Sequence, residues 1–165
     1  MTPAQNLLIK DYIASVPELA ALPNNTDGAY AMLPTFNTLA SPSFIVWKTS
    51  VSIDEIMRNG MDWARVDNLS VGKARIWDWM GRLGSFNPSK VNVRAGIDAT
   101  WVGTAPDLAV RAQVYTHCKR SATVIEKLLA TGTGSDAVPA TLGFEGLISY
   151  QDIDIARHSD AQGNL

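Results

Sequence analysis

The last third of the chain, from Lys119 to Arg157, limits the possible folds most strongly. It reads as a helix, a loop rich in glycine, serine and threonine, one alternating segment and a short final helix. From Leu142 to Tyr150 the even positions are mostly apolar, which is the period-two pattern of a half-buried strand. One strand cannot satisfy its own backbone N–H and C=O groups, so it needs a strand from the same chain or from a neighbour. The pattern therefore favours assembly with other subunits.

The rest of the chain predicts helices with few interruptions. N-cap signals predict helix starts at Thr2, Ser52, Ser70, Ser89 and Thr104. A further helix is predicted from Ser121 to Thr131. The run from Phe44 to Val51 is rich in β-branched and aromatic residues and is the second strand candidate.

Proline and glycine mark the predicted helix boundaries. Pro34 lies within one helical pattern and should kink or split it. The helix that begins at Ile53 is expected to end near Asn59. A weak cap at Ser149 predicts a short helix through Arg157, and the polar residues that follow it should fray unless a partner orders them.

These patterns predict a mainly α fold, a compact helical bundle with one or two short β-strands and an extended C-terminal arm. Residues 1–130 are expected to form the helical domain. Residues 131–165 are expected to form a loop, a strand and an arm that contacts neighbouring molecules.

The charge composition limits the possible partners. The net charge is −2 and only 18% of residues are charged. A protein that binds nucleic acid relies on lysine and arginine to neutralise phosphates, so at most a peripheral DNA contact is expected. No apolar run is long enough to cross a bilayer, and the N-terminus lacks the pattern of a signal peptide. We therefore expect no membrane contact.

Candidate catalytic and metal-binding motifs are weak. Gly132–Asp136 lies between a helix and a strand candidate, the reverse of the order in a phosphate-binding loop. His117 and Cys118 are adjacent on a helix and point about 100° apart, so they do not predict a metal pair. The remaining histidine is His158, and Cys118 is the single cysteine, which we expect to be buried. No cofactor is predicted.

Four carboxylates could serve a glycoside hydrolase, which needs two facing each other across a cleft. They are Glu18, Glu55, Glu126 and Glu145, and nothing in their spacing pairs them. Glu55 has a capping role, and Glu126 can pair along a helix surface. We therefore predict that the chain is not an enzyme.

Two of the five tryptophans, Trp77 and Trp79, are two positions apart on a predicted helix. They cannot share a face, so one is expected in the core. Either the other is exposed, where it is a candidate subunit contact, or both are partly buried.

Five stretches of the chain carry a resemblance to a known family. They are 21–29 (ALPNNTDGA), 42–49 (PSFIVWKT), 130–137 (ATGTGSDA), 144–146 (FEG) and 149–152 (SYQD). Together they resemble a family of small proteins encoded by tailed bacteriophages and prophages and found among virion morphogenesis proteins. Residues 61–84 depart most from the family pattern.

The resemblance implies a structural protein of the virion that is present in the host cytoplasm during assembly. We favour a head–tail connector (adaptor) subunit that forms a homo-oligomeric ring against the portal protein and contacts other neck or tail proteins. The alternatives are another head or tail component, such as a decoration or tail-completion protein, and a small virion-associated peptidoglycan hydrolase.

Under this reading residues 131–165 form the docking element, which would pair its strand edge with a neighbour. The expected interface residues are Gly132, Gly134, Phe144, Glu145, Ile148 and Tyr150. If this element lies outside the helical core, truncation after Gly134 should leave a folded helical domain.

Overall fold

The computed structural model describes residues 1–58 and 60–165. In these residues the chain is mainly α-helical, as the sequence predicts, with ten helices and four short strands. The helices are α1 (Pro3–Ser15), α2 (Pro17–Ala20), α3 (Thr26–Asn37), α4 (Ile53–Arg58), α5 (Trp63–Asp67), α6 (Val71–Gly81), α7 (Val91–Thr100), α8 (Ala105–His117), α9 (Val124–Leu129) and α10 (Tyr150–His158). The strands are β1 (Ile45–Trp47), β2 (Val51–Ser52), β3 (Ser85–Phe86) and β4 (Lys119–Ser121).

The four strands form two small sheets. β1 pairs with β4, and β2 pairs with β3 in antiparallel register, with Val51 opposite Phe86. The strand candidate from Phe44 to Val51 is thus confirmed in part, because it divides between β1 and the start of β2.

The chain forms two compact units. The first contains residues 1–45 and 121–165, and the second contains residues 46–120. The division expected at residue 130 is therefore wrong. Residues 131–165 belong to the first unit because their apolar side chains complete its core.

The core of the first unit is built from α1, α3, α9 and α10. α10 packs against α1 and α3, and α9 packs against the same two helices. The largest fully buried side chains are those of Ile9, Met32, Phe36, Ile125 and Ile153. The C-terminal segment thus supplies part of the core that the N-terminal helices need.

The strand predicted from Leu142 to Tyr150 is absent from the described residues, where only Thr131 and Thr141 form an isolated bridge. Helix side chains take the place of a partner strand. The Asn37 side chain donates to the Ile148 carbonyl at 3.0 Å and accepts from the Ile148 N–H at 2.9 Å. The Glu126 carboxylate accepts from the N–H of Gly146 at 3.0 Å. These backbone groups are satisfied within the first unit, so they do not require a strand from a neighbouring molecule.

The tail after α10 is also bonded within the first unit, contrary to the frayed end expected from its polarity. The Asn6 side chain donates to the Gly163 carbonyl at 3.0 Å, and Lys10 donates to the carbonyl of the buried Ser159. Asp160 accepts from the backbone N–H groups of Gln162 and Asn164 and thereby holds the turn. These hydrogen bonds lower the pKa of Asp160 below its usual value, with the Asn164 N–H as the largest cause.

Local capping signals locate several helix starts correctly. Reciprocal capping boxes begin α1 at Thr2, α8 at Thr104 and α10 at Ser149. The Ser52 hydroxyl caps α4 by accepting from the Glu55 N–H at 3.0 Å. The predicted end of α4 near Asn59 lies outside the described residues.

Three local predictions are corrected. α3 is continuous through Pro34, which lies in its last turn, where the missing N–H removes a single helical bond. The helix predicted from Ser121 starts only at Val124, because Thr123 caps it and Lys119–Ser121 pair as β4. Lys90 replaces Ser89 at the N-cap of α7, and the Ser89 hydroxyl instead donates to Asn87.

The second unit has its own core between α4, α6, α7 and α8. Trp101, Ile56, Ile97 and Val114 are completely buried there. Trp77 packs edge-on against Trp101, with ring centroids 5.3 Å apart. α6 packs against α7, and an apolar groove lies between these two helices.

Truncation after Gly134 should unfold the first unit, because it removes Ile148, Ile153 and Ala156 from that core. All five tryptophans lie in residues 46–120, so tryptophan fluorescence reports the second unit separately. Hydrogen exchange measured on peptides from residues 1–45 should show loss of protection. Protection equal to that of the full chain would contradict the assignment of residues 135–165 to the core.

Replacing Asn37 with Ala should lower the free energy of unfolding of the first unit by about 1–3 kcal/mol, because it leaves both backbone groups of Ile148 without their partner. Denaturant unfolding followed by far-ultraviolet circular dichroism measures the loss. Asn24→Ala is the matched control, because Asn24 is exposed, and it should change stability by less than about 0.5 kcal/mol. Equal stability of the two variants would show that the Asn37 bonds contribute nothing.

Candidate interaction site

The six interface residues predicted from the sequence do not form one surface. Gly132 and Gly134 have positive φ values of 124° and 67° and serve the internal turn of the loop. A Cβ on Gly134 would lie 2.2 Å from the Phe44 ring, and the Gly134 carbonyl accepts from the Ile45 N–H at 2.7 Å. These two glycines allow close packing within the first unit.

Three more of the predicted residues also pack inward. Ile148 is buried in the core of the first unit, and Phe144 and Tyr150 are partly buried against it. Tyr150 stacks on Tyr30, with ring centroids 4.0 Å apart. A hydrogen bond with Tyr150 raises the pKa of Tyr30 above its usual value. Contact with neighbouring molecules through these three residues remains a prediction.

Gly132 and Glu145 are the predicted interface residues that are exposed, and the exposed Leu147 lies two residues after Glu145. Leu147 is 71% exposed although it is a large apolar residue. In the alternating pattern, Leu147 and Glu145 occupy odd positions, which point away from the side of Phe144 and Ile148 at the even positions. The signal for an exposed leucine was therefore in the sequence, but Leu147 was not among the predicted contacts.

Two of the four carboxylates considered for hydrolysis, Glu55 and Glu126, have structural partners. Glu55 accepts from the Lys48 ammonium at 2.7 Å and lies 3.8 Å from His117 Nδ1. The Lys48 hydrogen bond is the main reason why the pKa of Glu55 falls below its usual value. A glycosidase general acid requires the opposite shift. Glu126 is buried rather than on a helix surface, and it accepts from the backbone N–H groups of Thr123 and Gly146.

In the second unit, an ion pair between Arg65 and Asp107 stabilises the start of α8. Arg65 donates to Asp107 at 2.6 Å, and the Thr104 hydroxyl donates to the same carboxylate at 2.9 Å. The hydrogen bonds from Arg65, and then those from Thr104, lower the pKa of Asp107. This pair joins α5 to α8 and has a structural role.

Cys118 is completely buried at the C-terminal end of α8, which confirms the interpretation as a packed thiol. Burial raises the pKa of the thiol to about 12, so the reactive thiolate is scarce at neutral pH. His117 lies beside it in sequence and its Nε2 is 3.0 Å from the Gln113 amide nitrogen. Across residues 1–58 and 60–165, no cluster of three or more His, Cys, Asp or Glu side chains could hold a metal ion.

An apolar groove between α6 and α7 is the strongest candidate interaction site. Trp77 is 6% exposed and Trp79 is 78% exposed, so the two tryptophans face opposite environments. The alternative in which one tryptophan is buried and the other exposed is thus confirmed, and a subunit contact through Trp79 stays a prediction. The groove has a volume of about 680 Å³ and is lined by Arg75, Ile76, Trp79, Met80, Leu83, Asn92, Val93 and Gly96. Its exposed apolar side chains are of the kind that bury on binding another protein.

Packing between α6 and α7 sets the shape of this groove. A Cβ on Gly96 would lie 3.1 Å from the Met80 sulfur, so the absence of a side chain at 96 allows Met80 to lie along α7. Leu83 follows the end of α6 and is 86% exposed. Trp79 and Leu83 thus extend one apolar face beyond the last turn of the helix.

Arg75 is the single charged residue among the described groove-lining residues. It has no hydrogen-bond or ion-pair partner in the described part of the chain. The neighbouring Arg82 differs, because it pairs with Asp78 at 2.7 Å on its own helix. Arg94 on α7 is also engaged, since it donates to the carbonyls of Pro88 and Ser89. The groove therefore combines apolar walls with one available guanidinium.

Sequence reasoning identified one of Trp77 and Trp79 as a possible contact, without distinguishing between them, and missed the groove. The signal available was the spacing of Ile76, Trp79 and Leu83, which lie three and four positions apart and so share a helix face. Whether such a face is core or surface depends on the packing of distant helices, which the spacing alone does not determine.

Comparison of this chain with protein-family models, with curated proteins and with solved structures finds no match. None of the described helices combines the length and the apolar character needed to cross a bilayer.

Proposed function

We propose that this chain is a structural protein of a tailed bacteriophage virion, and that it serves as a head–tail connector subunit in a ring against the portal protein. The proposal rests on the resemblance carried by residues 21–29, 42–49, 130–137, 144–146 and 149–152. A subunit of such a ring needs surfaces that bury against neighbouring proteins.

The observation that carries the proposal is the exposed Trp79 and Leu83 beside the α6–α7 groove. Large exposed aromatic side chains next to a pocket are typical of residues that dominate protein–protein binding. The residues that line the groove lie within 75–96. Residues 61–84 depart most from the family pattern, so the support from this surface comes from its exposed apolar side chains and is separate from the resemblance.

The electrostatics also suit a protein partner. With a net charge of −2, any contact with packaged DNA is peripheral, and the neighbouring ring and portal subunits are the main partners. In this proposal the role is structural rather than catalytic.

Cryo-electron microscopy of purified particles of the encoding phage, with focused reconstruction of the portal vertex, tests the proposal. A ring of these chains against the portal is the expected result. Density on the capsid lattice or along the tail would replace the connector role with that of a decoration or tail protein. Absence of the chain from purified particles, measured by mass spectrometry, would overturn the virion assignment and return attention to an enzyme.

Replacing Trp79 with Ala should reduce incorporation into particles about tenfold or more, as expected for loss of an interface anchor. Particles made without the native gene and supplied with the variant chain allow its amount per portal to be measured by quantitative mass spectrometry. Because Trp79 is 78% exposed, the variant should keep its stability to within about 0.5 kcal/mol.

Trp63→Ala is the matched control, because Trp63 is 57% exposed but does not line the groove. Equal incorporation of the two variants would show that the groove has no part in assembly.

A further inference from the structure

The chemistry of the α6–α7 groove limits what can occupy it. Ile76, Met80 and Val93 offer apolar walls, and Arg75 offers a guanidinium without a partner in the described part of the chain. A complementary segment would insert a large apolar side chain and place a carboxylate beside Arg75. A bidentate arginine–carboxylate pair is also directional, so it would set the register of the contact.

The first unit of the same chain presents such a segment. Leu147 is 71% exposed. Glu145, two residues earlier, is exposed as well and already has an interaction within its own chain, to which the contact with Arg75 would be added. Phe144 and Ile148 anchor the segment to the core, and the Asn37 and Glu126 side chains bind its backbone. The segment is thus held in place before it meets a partner, which reduces the entropy lost on binding.

We propose that Leu147 of one copy enters the α6–α7 groove of the next copy, with the Glu145 carboxylate on Arg75. The inference rests on the proposed function, since it supplies the contact between neighbouring subunits of the ring. Two different surfaces meet in this contact, so each copy uses its groove for one neighbour and its 145–147 segment for the other. A head-to-tail contact of this kind forms a ring when the rotation from one copy to the next closes, and an open filament when it does not.

One other acidic and apolar pair at the same spacing is less suitable. Asp136 and Val138 are exposed in the loop before this segment. Val138 is smaller than leucine, and both its backbone groups are bonded in a tight turn, to Ser135 and Thr133. It therefore provides a matched control rather than an equal candidate.

Chemical cross-linking of the full chain tests the contact. The variant Leu83→Cys/Leu147→Cys, treated at millimolar concentration with a short bis-maleimide, should give dimers, trimers and longer ladders. Ladders are expected because every copy carries both cross-linking positions. The native Cys118 is buried and should not react. Leu83→Cys/Val138→Cys is the control, and ladders of equal yield from both, or none from either, would overturn the proposal.

Charge reversal tests the register. Adding Arg75→Glu to the cross-linking variant should lower the ladder yield at least about threefold, because it opposes two carboxylates. Adding Glu145→Arg as well should restore the yield, since the pair is then reversed rather than broken. No loss of yield, or loss without rescue, would overturn the assignment of Glu145 to Arg75. Circular dichroism of each variant confirms that it is folded.

The two proposals can fail separately. Mass spectrometry of purified particles reports whether the chain belongs to the virion, whatever the cross-linking shows. Ladders from a chain that is absent from particles would support the contact and overturn the connector role. A ring in the particle whose subunits do not join through Leu147 would support the role and overturn the contact.

Discussion

The first unit depends on a core that two distant parts of the chain build together. α1 and α3 bury Ile9, Met32 and Phe36. Residues 121–165 supply Ile125 and Ile153, which pack against them. Neither part alone covers the apolar faces of its helices. The stretch before α10 has no strand partner and would leave polar backbone groups unsatisfied, but the Asn37 amide and the Glu126 carboxylate bind them. Side chains on α3 and α9 thus allow an irregular segment to lie against a helical core.

The features that follow from neighbouring residues could be predicted from the sequence. The capping boxes at Thr2 and Thr104 involve residues three apart, so the local pattern contains the whole interaction. The mainly α character, and the fact that Trp77 and Trp79 lie on different faces of one helix, follow from the helical period. In each case the information lies within one or two turns of helix.

The prediction of a C-terminal strand was wrong because the conformation of residues 142–150 depends on distant residues. The alternation from Leu142 to Tyr150 correctly placed Ile148 inward and Glu145 outward, yet it did not show that Asn37 would replace a partner strand. The same limit applies to the groove. The spacing of Ile76, Trp79 and Leu83 reveals a shared face, but its exposure depends on how α7 packs, including the contact of Met80 with Gly96.

The division of the chain also has a consequence for its synthesis on the ribosome. Residues 46–120 are continuous and have their own core, so they can fold as soon as they emerge. Residues 1–45 emerge before residues 46–120, but Met32 and Phe36 are not covered until residues 121–165 have been made. During that interval the nascent chain presents apolar helices that chaperones recognise, and closing such a long loop is slow compared with local folding. Residues 1–45 are therefore synthesised before residues 46–120 but reach their native packing after them.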